Sequence, residues 1–143
     1  TGQLWIAVIA SPLVAIGYLY NAGKRPLSYT RLGEWVTGLC YGPGVFGCLW
    51  LLTRLPVDSA AIAGMLAFGA LAMALLLSHQ PPQIETDRAA GKLSFAVRHG
   101  GIVTRRSAQV LMLLFVAAFG ISLWVHGDTL TVPVSFALTA VAL

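Results

Sequence analysis

The stretch Ile84-Glu-Thr-Asp-Arg-Ala-Ala-Gly-Lys-Leu-Ser-Phe-Ala-Val-Arg-His-Gly100 is the only long polar passage in a chain that otherwise reads as almost continuous apolar helix. It carries two carboxylates, Glu85 and Asp87, and three cations, Arg88, Lys92 and Arg98, in a protein that is only 10% charged. Charge is expensive in lipid, so a chain that gathers it in one connection holds that connection at the membrane surface and uses it. The chain as a whole is 57% hydrophobic, with a mean hydropathy of +0.80. Its apolar runs match the roughly 20 residues that cross a ~30 Å hydrocarbon core. They have the length of helices rather than of the roughly ten-residue alternating strands of a barrel, and in lipid only helices and closed barrels satisfy their own backbone. The expected fold is therefore an all-α integral membrane protein, a polytopic helix bundle.

Working outward from the polar stretch, five spans are expected, at about 3–20, 32–53, 58–78, 104–125 and 130–143, in a single transmembrane domain covering 1–143. Polar loops at 21–31 and 79–103 separate them. Pro12 falls inside the first span and predicts a kink, with a neighbouring helix or water meeting the freed carbonyl. Gly23 is a candidate C-cap and Pro26 forbids continuation of that helix. Asp58 is a candidate N-cap for the third span. The chain opens at Thr1 and stops at Leu143 within an apolar run, so it is expected to be a piece of a longer protein.

Alternating the spans puts both polar loops on one face of the membrane. That face holds Lys24, Arg25, Arg31, Arg88, Lys92, Arg98, Arg105 and Arg106 against Glu34, Glu85 and Asp87, whereas the other holds Arg54 against Asp58 and Asp128. Eight of the nine cations thus share one side, which the positive-inside rule makes cytoplasmic, in an inner or cytoplasmic membrane. Topology alone accounts for basic loops but not for carboxylates mixed among the cations. That mixture suits a magnesium-bound diphosphate, with Lys and Arg neutralising phosphate oxygens and Asp holding the hydrated metal.

The remaining features are less informative. Cys40 and Cys48 lie about 12 Å apart by helical rise, too far for a disulfide, and read as packing residues. Gly38 and Gly42 form a small-xxx-small pair, which serves close helix packing or makes room for a flat ring or isoprenoid chain. His79, His99 and His126 read as boundary residues, with His79 the one placed to ligate a pigment or cofactor. Trp5, Trp35, Trp50 and Trp124 lie towards span ends, as an interfacial aromatic belt does. The basic residues flank membrane spans, so nucleic-acid binding is not expected despite a pI near 9.5.

Two words of this sequence resemble a known family. Ile84-Glu-Thr-Asp-Arg-Ala-Ala-Gly-Lys92 with Phe95-Ala-Val-Arg-His-Gly100 is similar to the second polar motif of the UbiA superfamily of intramembrane prenyltransferases. Tyr20-Asn-Ala-Gly-Lys-Arg-Pro-Leu-Ser-Tyr29 followed by Leu32-Gly-Glu34 resembles a loop of the branch that prenylates dihydroxynaphthoate in menaquinone synthesis. The resemblance spans nearly the whole chain and implies part of a nine-helix bundle. It also implies magnesium-assisted transfer of an isoprenyl group from a polyprenyl diphosphate to an aromatic acceptor. Carried over by position, Asp87 is the magnesium-binding acid and with Lys92 the catalytic pair. Arg88, Lys92, Arg98 and Lys24 are the diphosphate cations, and Tyr20 and Tyr29 border the cavity.

The chain departs from the family word Asn-x-x-Arg-Asp-x-x-x-Asp. Gln83 stands where the first acid is expected and Pro82 where the Arg is, and Gln offers magnesium a poorer ligand than carboxylate. Glu85, two residues from Asp87, points to nearly the opposite face of a helix. The family's first acidic motif does not occur in these 143 residues. Two readings follow: a prenyltransferase segment, or a non-catalytic bundle that binds quinone, lipid or pigment beside other subunits of a membrane complex.

Overall fold

A computed structural model describes residues 4–24 and 26–125 of the chain. Every regular element among them is helical. They are α1 (Leu4–Asn21), a 3-10 turn at Leu27–Tyr29, α2 (Gly33–Leu52), α3 (Ser59–His79), a second 3-10 turn at Pro81–Gln83, α4 (Ile84–Ala89), α5 (Phe95–His99) and α6 (Gly101–Val125). The expected span at 130–143, together with Arg25, His126 and Asp128, lies outside the described residues. α2, α3 and α6 are each long and apolar enough to cross a membrane, and the apolar part of α1, Ala7–Asn21, is shorter.

α1 runs unbroken through Pro12. A proline at position 12 removes the N–H that would bond the Val8 carbonyl one turn earlier. Here the Ser11 hydroxyl donates to that carbonyl at 2.8 Å, so the freed acceptor is met from within the helix. Gly23 follows the helix at φ +95, a conformation open to glycine.

α2 answers its proline differently. Between α-helical ends, Cys40–Phe46 widens into a π-helical stretch with Pro43 inside it. Pro43 has no N–H to give the regular ladder and its ring crowds the carbonyl one turn back, and a wider turn relieves both.

α3 is the central helix, packed against both α2 and α6. Its buried face is made of small residues, among them Ala60, Ala61, Ala63, Gly64, Ala67 and Ala74. Without a hydrophobic driving force between helices in lipid, such residues are what lets backbones approach and gain dispersion contact. A methyl placed on Gly42 would press on the Met65 carbonyl oxygen and come within 3.2 Å of Gly69 Cα, and one on Gly69 would lie 2.9 Å from the Gly38 carbonyl oxygen. Gly38, Gly42 and Gly69 thus form a backbone-to-backbone crossing, which selects close packing over ligand space at Gly42. Phe46 fills the notch left by Gly64.

Asp58 caps α3, its carboxylate accepting the Ala61 N–H at 2.9 Å. At the other end, the stretch expected as a polar loop at 79–103 is mostly short helix, and α6 already begins at Gly101, placing Arg105 and Arg106 on its first turns.

Candidate functional site

The local chemistry of the polar stretch explains its shape. α4 ends in a glycine-based cap: Gly91 sits at φ +69, its N–H donates to Arg88 O at 3.1 Å, and the Lys92 N–H donates to Asp87 O at 2.9 Å. This double closure satisfies the last carbonyls of a six-residue helix and folds the chain back on it. Lys92 is thereby returned to the residue it follows by five positions, and its Nζ lies 3.3 Å from Asp87 Oδ1. Asp87 is 8% exposed, and its second oxygen, Oδ2, is buried with no hydrogen-bond partner among the described residues. Glu85 and Arg88 face outward and are exposed, as a helix of that register requires.

The two polar connections meet. The Leu93 N–H donates to Tyr29 O at 3.0 Å, joining the first connection to the second by backbone alone. Below that contact lies Glu34, only 3% exposed. Its Oε1 accepts from Gln80 Nε2 at 3.0 Å and from the Phe95 N–H at 2.6 Å, while Oε2 lies 3.4 Å from Arg98 Nη2. Gln80 Oε1 accepts the Ala96 N–H at 3.1 Å. Arg98 also donates from Nε to Leu93 O at 3.1 Å and stacks over the Phe95 ring.

Of the residues expected at the site, Asp87 and Lys92 are in contact, and Arg98 belongs to the same polar cap through Leu93 O. Tyr29 contributes its carbonyl to the junction, and its side chain is exposed. Tyr20 points back along the bundle, its hydroxyl 3.2 Å from Thr37 Oγ1. Lys24 and Arg88 are exposed, and their side chains make no hydrogen bond or ion pair with another described residue. His79 is exposed at the end of α3, and His99 lies beside Arg98 at 3.5 Å. Glu34 and Gln80 were not among the expected site residues. The available signal was that Glu34 is the sole carboxylate before Asp58.

Among the described residues no three His, Cys, Asp or Glu side chains gather as a metal site. A magnesium ion shared with a diphosphate needs only one or two carboxylates, the rest of its shell being phosphate oxygen and water. The unpartnered Oδ2 of Asp87 fits one such position.

Glu34 and Phe95 also line a cavity of about 490 Å³, with Trp35, Met73, Arg106 and Leu111. A second cavity of about 420 Å³ shares Trp35, Met73 and Leu111 and continues along Gly38, Leu66 and Leu114. Together they form an apolar groove between α2, α3 and α6 that starts at the polar cap and runs along the spans.

Membrane-length apolar helices carrying a mixed basic and acidic cap at one end define a polytopic integral membrane protein. Its family can be stated: the chain matches the UbiA prenyltransferase family over residues 1–143 and belongs to it. It is 30% identical over 130 residues to a 1,4-dihydroxy-2-naphthoate octaprenyltransferase of Bacillus subtilis, covering 89% of this chain and 39% of that protein. It is 32% identical over 109 residues to the enzyme of the same name from Mycobacterium tuberculosis, covering 76% of this chain and 37% of that protein. The chain thus spans about two fifths of the length of these relatives. No solved structure matches it.

Proposed function

We propose that this chain forms part of a membrane enzyme that transfers a polyprenyl group from its diphosphate to an aromatic acceptor of the dihydroxynaphthoate kind, in quinone synthesis. The observation that carries the reading is the junction of the two polar connections at the mouth of an apolar groove. An amphiphile with an anionic head and an isoprenoid tail matches those two environments. The relatives' names supply the acceptor.

In this reading the allylic carbon–oxygen bond breaks, the electron pair leaves with the diphosphate, and an aromatic carbon forms the new carbon–carbon bond and then loses the hydrogen or carboxylate it carried, as a proton or carbon dioxide, with the bonding pair returning to the ring. Lys92 neutralises charge that grows on the leaving oxygens, where a fixed cation in a dry site acts most strongly, and Arg88, exposed on α4, adds to the basic surface around it. Arg98 and Lys24 belong to the same basic surface. Asp87 would hold a magnesium ion through Oδ2, with Lys92 keeping its other oxygen in place. The ion, when bound, supplies Lewis acidity to the diphosphate. Neither Tyr20, whose hydroxyl meets Thr37, nor Tyr29, whose ring is exposed, is among the residues lining the two cavities; Tyr29 acts at the junction through its carbonyl. The cap faces the cytoplasm, where its cations belong by the positive-inside rule.

The full-length protein in membranes, given a polyprenyl diphosphate, dihydroxynaphthoate and magnesium, is expected to form the prenylated product. Gln83, exposed and uncharged where the family word has an acid, favours a second reading: a bundle that binds quinone, lipid or pigment within a membrane complex without turnover. A folded wild type that retains a quinone and forms no product would establish that second reading in place of the first.

A further inference from the structure

Glu34 lies outside the diphosphate residues named above, yet it organises the segment that carries them. A five-residue helix such as α5 cannot satisfy its own first N–H groups, and Ser94, at its N-cap position, makes no capping bond. Those N–H groups go instead to two side chains from distant elements: Phe95 N–H to Glu34 at 2.6 Å and Ala96 N–H to Gln80 at 3.1 Å. The same carboxylate holds Arg98 at 3.4 Å and the Gln80 amide at 3.0 Å. A carboxylate 3% exposed persists only when its oxygens are paired in this way. The place of α5, and of the Arg98 it carries, is therefore set by α2 and not by local sequence.

We propose that Glu34 is a positioning residue for diphosphate binding. Its charge fixes Arg98 and the start of α5 in the cap that also carries the Asp87–Lys92 pair, with Arg98 bonded to the carbonyl of Leu93, the residue after Lys92, so that the substrate meets its cations already in place. The inference rests on the prenyl-transfer reading.

The test is steady-state kinetics of the full-length protein in bilayer discs, varying diphosphate and acceptor separately, with a thermal midpoint for each variant. Glu34→Gln keeps an acceptor oxygen for the Phe95 N–H, removes the charge and replaces the oxygen facing Arg98 by an amide donor. It is expected to raise KM for the polyprenyl diphosphate about tenfold, the scale of one lost charge-assisted hydrogen bond, and to leave KM for the acceptor unchanged. Glu34→Asp, which restores the charge one methylene short, is expected to recover part of that loss. Should Glu34→Gln not fold, a selective rise in diphosphate KM for Glu34→Asp supports the inference, and equal changes in both KM values overturn it. Wild-type kinetics in Glu34→Gln, or a loss shared by both substrates along with a lowered midpoint, overturns it as well. A wild type that transfers no prenyl group overturns the functional reading and this inference with it, whereas active wild type with an indifferent Glu34→Gln overturns the inference alone.

Discussion

The backbone N–H of Leu93 donates to the carbonyl of Tyr29 at 3.0 Å, so the two polar connections of this membrane bundle form one continuous cap. Because the bond is between main-chain groups, it does not depend on the flexible basic side chains around it. The cations of the cap are presented from a common frame.

Within that frame Asp87 is the sole buried carboxylate of α4, with one oxygen on Lys92 and the other unpartnered. Asp87→Asn keeps the shape and removes the charge. Magnesium-dependent transfer is expected to fall at least about a hundredfold, the scale of losing one preorganised electrostatic contact. Measuring turnover across magnesium concentrations checks this; unchanged turnover removes Asp87 from the chemistry.

Gly91 holds the turn that returns Lys92 to Asp87. A methyl there would meet nothing within 4 Å, so any cost of Gly91→Ala is conformational, from φ +69. The expected loss is about 1–2 kcal/mol of stability, measured by denaturation in detergent, with a parallel fall in turnover as the Asp87–Lys92 pair loosens.

Gly42 and Gly17 make a contrasting pair. Gly42→Ala forces a methyl against the Met65 carbonyl and is expected to destabilise the bundle by about 1–3 kcal/mol. Gly17 lies on α1 with nothing within 4 Å of a built methyl, so Gly17→Ala is expected to gain about 0.5–1 kcal/mol. Unfolding midpoints of the two variants should move in opposite directions.

At the opposite end of the bundle, Asp58→Ala removes the bond to the Ala61 N–H and is expected to cost about 1 kcal/mol while leaving turnover intact. A loss of activity without a loss of stability would contradict the assignment of this end as purely structural.

Much of this was legible in the sequence because it is local. Hydropathy placed α1, α2, α3 and α6, and the residue types of Asp58 and Gly23 announced their caps. The small-residue spacing of Gly38 and Gly42 announced a close crossing, though only the facing Gly69 shows that backbone and not a ligand occupies it at Gly42. What was not legible depends on distant partners. Glu34 contacts residues 46 and 61 positions away, and no periodicity reports such a pairing. The π-helical turn at Cys40–Phe46 likewise reflects how α2 accommodates Pro43 against α3, where propensity alone suggests a break. The helical content of 79–103 was hidden because α4 and α5 are too short to show a hydrophobic period.

The most direct measurement is photolabelling of the full-length protein in bilayers with a polyprenyl diphosphate whose photoreactive group sits on the first isoprene unit, followed by peptide mass spectrometry. Magnesium-dependent label is expected on the mouth of the groove, at Trp35, Met73 or Phe95, competed away by inorganic pyrophosphate. Label confined to the turn at 54–58 or spread along the lipid face of α1, and indifferent to pyrophosphate, would contradict it.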